Sequence, residues 1–201
     1  RVTYFSSQNG YVQGVTTEQG DISADRVVLS SGVASKALAK KIGITIPVLP
    51  IKGYSVTVPI IDESRVPISS CTDLKHRLVI SRLGMRLRVA GFAEIGSDKA
   101  CDAGRAAAAR DRLEALFPDA ADYQSFDNWM GFRPMTPDGA PIIGEAETLR
   151  NLWFNTGHGT LGWTLSHGTA QLLTDMMAGR KTALDMKPYK IKRSYVSGIF
   201  G

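Results

Sequence analysis

The chain has 201 residues, 43% of them hydrophobic and 21% charged, enough to bury a core in one domain or two small ones. No run of about 18 apolar residues occurs and no basic-then-apolar leader opens the chain, so no membrane-spanning helix and no secretory signal are expected. The net charge of +5 is spread along the chain, with small clusters at 82–88 and 187–193, which is too thin for a nucleic-acid-binding stripe.

Short strands are expected at Val2–Phe5, Val12–Thr17 and Asp21–Ala24, with turns at Asn9-Gly10 and Gln19-Gly20. Arg26–Ser30 is a near-continuous apolar run, the signature of a buried and often parallel strand. It ends at the tight turn Ser31-Gly32, before a helix at Ala34–Lys41. The two prolines within Ile46–Pro50 predict an irregular crossover. The texture then changes. Tyr54–Pro59, Arg77–Ser81 and Arg86–Phe92 alternate apolar and polar residues, with a turn at Leu83–Met85, as antiparallel strands do. Ala103–Phe117 is an alanine-rich helix closed by Pro118. Asn128–Arg133, Ala140–Ile143 and Leu152–Asn155 read as strands, and Thr136-Pro137-Asp138-Gly139 as a turn. Leu161–Ala178 is the last long helix, with Leu165, Thr169, Leu172, Leu173, Met176 and Met177 on its apolar face and Gly179 as its cap.

Cys71 and Cys101 form no C-x-x-C pair and no metal spacing with His76, His158 or His167, so reduced thiols and no metal site are expected. The chain opens at Arg1, inside strand-like RVTYF, and its first methionine is Met85; it reads as a piece cut mid-domain from a longer protein.

Gly157, Gly159 and Gly162 spell G-x-G-x-x-G between a strand and a helix. Free N–H groups and the helix dipole at such a junction favour an anion. A dinucleotide fingerprint also demands a second parallel strand after the helix, with an acidic residue about 20 positions on. Only 22 residues follow Gly179 and none forms an apolar strand. Two readings remain open. Either the helix start meets a reduced flavin ring, whose negative charge the dipole stabilises, or it is a plain turn before a core helix.

GFRPMTPDGAPIIG (131–144) and NLWFNTGHGTLGWTLSHGTAQLLTDMMAGR (151–180) closely resemble the C-terminal part of the bacterial D-amino acid dehydrogenase small-subunit family, within the D-amino acid oxidase, glycine oxidase and sarcosine oxidase superfamily of FAD enzymes. PVLPIKGYSVTVPI (47–60) and SRLGMRLRVAGFAEI (81–95) resemble it as well, so the likeness covers nearly the whole chain in the family's order. It implies an α/β with α+β fold: a partial Rossmann-like FAD-binding domain (1–46 and 133–201) interleaved with an antiparallel-sheet substrate domain (47–132). It also implies that the family's own dinucleotide motif lies in an N-terminal half of the polypeptide that is not present here.

Position by position, the resemblance assigns Arg133 to the substrate carboxylate, a role suited to the planar guanidinium fork. Gly157, His158, Gly159, Thr160, Leu161 and Gly162 match the flavin-facing loop. Ser31 and Gly32 match the turn near the pyrophosphate, and Val2 a main-chain contact to adenine. Tyr54 falls where the substrate domain approaches the active site, or is a strand residue packed on a neighbour. His76 stands where some relatives carry a pocket tyrosine.

The implied activity is FAD-dependent oxidation of D-amino acids to 2-oxo acids and ammonia, with electrons passed to a quinone or other respiratory carrier at the cytoplasmic face of the membrane. The basic tail PYKIKRSY is a candidate peripheral contact with that membrane. Two alternatives stand beside it: an O₂-using amine oxidase of the glycine or sarcosine type, and a non-catalytic fragment or binding module. The 201 residues alone are expected to retain flavin weakly and to be inactive.

Overall fold

Asn9 and Gly10 both take left-handed backbone (φ 51° and 79°), which matches the twist of a two-residue hairpin. They join strand β1 (Val2–Gln8) to β2 (Tyr11–Thr17), and β3 (Gly20–Ser23) completes a three-stranded antiparallel sheet. The structure, a computed structural model, describes residues 1–96, 98 and 100–193.

Two units divide the chain: Arg1–Pro50 with Arg133–Gly201, and Ile51–Phe132. The sequence reading put the first change at 46/47. It lies at 50/51 because Ile46 and Val48 are still buried in the core of the first unit.

In the first unit, β4 (Val27–Leu29) leads to helix α1 (Ala34–Lys40), and β10 (Ile142–Glu145) and β11 (Leu152–Thr156) precede α3 (Gly162–Met177). Their sheet runs β10-β11-β4; β11 pairs antiparallel with β10 and parallel with β4. Alternation along β11 sends Leu152 and Phe154 into a core shared with Phe5, Leu29 and Ala39. It sends Trp153 to the opposite side, against Ile143, Leu173 and Met176. Arg26–Ser30 was expected to be buried. The pairing is indeed parallel, but only Leu29 is buried, and Val28 is 40% exposed. The reason is topological: among the described residues β4 is an edge strand with a neighbour on one side only. Gly179 caps α3 with φ 67°, its N–H donating to the Met176 carbonyl.

In the second unit a five-stranded sheet runs β6-β7-β8-β5-β9, where β5 is Leu49–Pro59, β6 Cys71–Asp73, β7 Leu78–Leu83, β8 Arg86–Ile95 and β9 Asp127–Met135. The expected irregular crossover is thus irregular only up to Val48, and β6 is a strand that the sequence did not suggest. Val56, Val58, Leu78, Ile80, Leu87 and Val89 line one face and pack on Ala106, Ala109 and Leu113 of α2 (Ala103–Leu116). Asp102 starts that helix by accepting the Arg105 N–H at 3.0 Å, a cap worth about 1 kcal/mol.

Candidate functional site

Strands β4 and β11 run parallel, so both of the loops that leave their carboxyl ends emerge on the same side. In open α/β sheets that is where ligands bind. Ser31-Gly32 follows β4 and Gly157–Gly162 follows β11. Thr156, at the end of β11, ties the two together: its hydroxyl lies 3.3 Å from the Gly32 carbonyl and 3.1 Å from the Ser35 hydroxyl.

The glycines of the second loop are required first by this chain's own packing. Gly157 has φ 82°, and a Cβ there would come within 2.8 Å of the Thr136 methyl group. Gly159 has φ 57°, and a Cβ there would meet the Met135 sulfur at 2.5 Å. With no side chain at these two positions, the loop closes on the end of β9, and the backbones of Met135 and His158 form an antiparallel bridge. Arg133 stands two residues before that bridge. Burial lowers the pKa of its guanidinium from the ordinary value.

Around the bridge, Gly159–Leu161 forms a short 3-10 turn containing Thr160, and α3 starts at Gly162. No side chain caps α3 and no acidic residue lies in its first turn. A Cβ on Gly162 would make only an ordinary 3.5 Å contact with His158, so packing within this unit does not demand that glycine. His158 is half-buried, and burial lowers its pKa, which favours the neutral ring. Its Nε2 sits 3.3 Å from the Thr169 hydroxyl, which itself donates to the Leu165 carbonyl. One further group was missed by sequence reasoning: the Asn155 carboxamide oxygen, on the α3 side of β11, is buried and has no hydrogen-bond partner among the described residues.

Arg133, Ser31-Gly32 and Gly157–Gly162 thus converge in the first unit. Val2 does not join them in any hydrogen bond or bridge; it pairs with Thr17 in the β1-β2-β3 sheet. Tyr54 and His76 belong to the second unit. Tyr54 is buried, donates to the Glu94 carboxylate at 2.9 Å and meets the Phe92 ring edge-on at 6.0 Å. Burial, then the Glu94 hydrogen bond, raises its pKa. A bulge makes this contact. Lys52 pairs with Glu94 and Tyr54 with Gly91, so β8 carries one extra residue there, and Phe92 takes φ 62°. His76 lies in the β6–β7 turn, its Nδ1 2.8 Å from the Asp73 carboxylate.

Residues 1–176 match the family model described as FAD dependent oxidoreductase, the DAO family. The chain belongs to that family. Among curated relatives, this DAO-family chain is 45% identical over 183 residues to a D-amino acid dehydrogenase of Paramagnetospirillum magneticum, covering 90% of this chain and 43% of that protein. It is 46% identical over 178 residues to a D-amino acid dehydrogenase of Vibrio vulnificus, covering 88% and 42%. The chain therefore spans less than half the length of these relatives. Among solved structures, glycine oxidase from Geobacillus kaustophilus superimposes with a TM-score of 0.80 at 28% identity, over 96% of this chain and 52% of that one. L-Proline dehydrogenase from P. horikoshii gives 0.81 at 19% identity, over 96% and 53%, a likeness of fold alone.

The site's chemistry fits the cofactor of this family. The uncapped first turn of α3 offers N–H donors at the positive end of a helix dipole, the orphaned Asn155 oxygen offers an acceptor, and no carboxylate stands in that first turn to repel an anion.

Proposed function

We propose that this chain is the C-terminal part of an FAD-dependent D-amino acid dehydrogenase, in which Arg133 holds the substrate carboxylate beside the flavin-facing loop. The observation that carries the reading is the Met135–His158 bridge, which joins the strand that carries the partly buried Arg133 to the 157–162 loop. The high identity to D-amino acid dehydrogenases supports the substrate class. The short coverage of those relatives and the half-partnered edge of β4 support a longer polypeptide that supplies the remaining FAD contacts.

FAD would be held by the backbone of Gly157–Gly162 and the Ser31-Gly32 turn, with Val2 a more distant main-chain contact, and would supply the two-electron acceptor for oxidation of the substrate Cα–N bond. The chain's own residues position and polarise. Arg133 fixes the carboxylate through a two-pronged, charge-assisted contact and so orients Cα. The α3 N-terminus favours negative charge at the cofactor edge that it faces. His158, neutral and engaged with Thr169, holds the loop and is not a base. Tyr54 and His76 shape the substrate unit, because their polar atoms are already engaged with Glu94 and Asp73. The imine product would hydrolyse to a 2-oxo acid and ammonia.

Electrons would pass to a quinone or respiratory carrier at the cytoplasmic face of the membrane. Exposed Lys190 of the basic tail supports a peripheral contact there, whereas Lys192 is ion-paired with Glu147 at 2.9 Å. Residues 194–195 of that tail lie outside the described residues, and no helix among the described residues is long and apolar enough to cross a membrane. The likeness to a glycine oxidase favours a second reading, O₂ as acceptor. Retention of FAD is expected to need the longer polypeptide, and the isolated chain to be inactive.

The test is Arg133→Ala in the full-length flavoprotein with D-alanine, reading quinone-analogue reduction and O₂ uptake side by side. Loss of a charge-assisted pair costs about 1.5–3 kcal/mol, so KM should rise roughly 10- to 150-fold. An unchanged KM removes the carboxylate role, and stoichiometric hydrogen peroxide favours the oxidase.

A further inference from the structure

The second unit carries a cationic group that has no ionic partner among the described residues. On β8, Leu87 and Val89 face the core, so Arg88 emerges on the opposite face of the sheet, between Thr57 of β5 and Ser81 of β7. No carboxylate pairs with Arg88 among the described residues. Its Nη2 donates to the buried Ser55 hydroxyl at 2.9 Å, and its guanidinium lies 5.8 Å from the centre of the Trp129 ring. Its Nε is buried and has no hydrogen-bond partner among the described residues.

This arrangement is constructed by the sequence. The Trp129 indole folds back across Gly131, where a Cβ would come within 2.0 Å of the ring, so only glycine two positions on lets the ring lie there. The indole then presents its face to Arg88, a cation–π contact that restrains the guanidinium without neutralising it. Trp129 itself remains 59% exposed. A restrained, partly buried guanidinium with spare donors and no counter-charge among the described residues is suited to a planar anion.

We propose that Arg88, positioned by Ser55 and Trp129, is a carboxylate-binding site of the second unit that takes a small carboxylic acid such as an amino acid or its 2-oxo acid. Only the identity of the carboxylate rests on the amino-acid-oxidising reading. The geometry of the site does not.

The test uses the full-length protein in an Arg133→Ala background, so that Arg133 contributes nothing. Pyruvate is titrated while the indole N–H resonance of Trp129 is followed, that resonance being identified by its loss in Trp129→Phe. A saturable shift is expected, its midpoint raised about tenfold or more by Arg88→Gln, the scale of a lost charge-assisted contact, and less by Arg88→Lys, which keeps charge without the fork. If Arg88→Gln fails to fold, Arg88→Lys and Ser55→Ala carry the comparison, each raising the midpoint. No shift, a midpoint indifferent to these substitutions, or an equal shift with chloride at matched ionic strength overturns the proposal. If Arg133→Ala leaves the D-alanine KM unchanged while the Trp129 titration behaves as expected, the function proposed above fails and the Arg88 site stands.

Discussion

Arg193 grips Asp138 across 55 positions of sequence: its Nε and Nη2 donate to the two carboxylate oxygens at 2.7 and 2.8 Å. The same guanidinium donates to the carbonyls of Ala140, Pro141 and Lys190. The turn so clasped begins at Thr136, whose methyl group packs against Gly157. The C-terminal tail therefore holds the floor of the glycine loop. The Arg193 side chain is 6% exposed and that of Asp138 17%. Removing one partner of such a pair strands the other, at a cost of about 3 kcal/mol, the lower end of the range because Asp138 keeps some solvent. Arg193→Met and Asp138→Ala should each lower the urea midpoint, and the double variant should cost clearly less than the sum of the two. Additive losses in that double-mutant cycle would show that the pair is not coupled.

Gly157→Ala tests the loop from the other side. Alanine at φ 82° is strained, and its methyl group would press on Thr136 at 2.8 Å. Strain and overpacking together should cost about 2–4 kcal/mol. Pairing the change with Thr136→Ser removes the clashing methyl group and should return part of that loss. Gly162→Ala is the control, because its new methyl group meets nothing closer than 3.5 Å; at a helix start it should leave stability almost unchanged while weakening FAD retention in the full-length protein. If both glycine variants lose the same stability, the division between packing and cofactor-facing glycines is wrong.

What the sequence showed depended on range. Asn9-Gly10, Gly179 and the alternation in Arg86–Phe92 act through neighbouring residues, and their elements formed where local chemistry put them. The partner of Val27–Leu29 lies more than 120 positions away at Leu152–Phe154, and periodicity carries no information on such a pairing. The same apolar run that reads as buried becomes an edge when one neighbour is absent from the described residues. In the site, the glycine loop was visible as a motif. Its dependence on Met135 and Thr136 was not, because a glycine shows that a side chain is excluded and not what excludes it. The Arg193 clasp and the Arg88–Trp129 stack were hidden for a related reason: an arginine on the surface and one folded into a polar cluster look identical in sequence.

His158 gives a pH signature near neutrality. Burial lowers its folded-state pKa, whereas the unfolded chain retains the ordinary value of about 6.5. Between those two values the unfolded state binds more protons, so stability rises with pH through that window and is lost as pH falls below about 6.5. His158→Asn removes the titration and should flatten the stability profile there. Denaturation midpoints measured from pH 7.5 down to 5 check this; an equal slope in both proteins would mean that His158 accepts its proton without penalty.

Asp73 predicts a second, more acidic transition in the other unit. Its carboxylate accepts from Arg112 Nε at 2.6 Å, from the His76 backbone N–H at 3.1 Å and from His76 Nδ1 at 2.8 Å. The Arg112 hydrogen bond, foremost, holds its pKa far below the ordinary carboxylate range. A depressed carboxylate contributes stability that is fully present above its unfolded pKa of about 3.9 and is lost as pH falls through the lower folded value. The protein should therefore weaken steeply below about pH 4. Asp73→Asn should be less stable at neutral pH, since it loses the charge facing Arg112, yet its acid limb should be shallower by up to one proton. Urea midpoints from pH 6 to 2 measure both effects. A parallel acid limb in the variant would show that Asp73 titrates alike in the folded and unfolded chain, and that the Arg112 contact does not hold in solution.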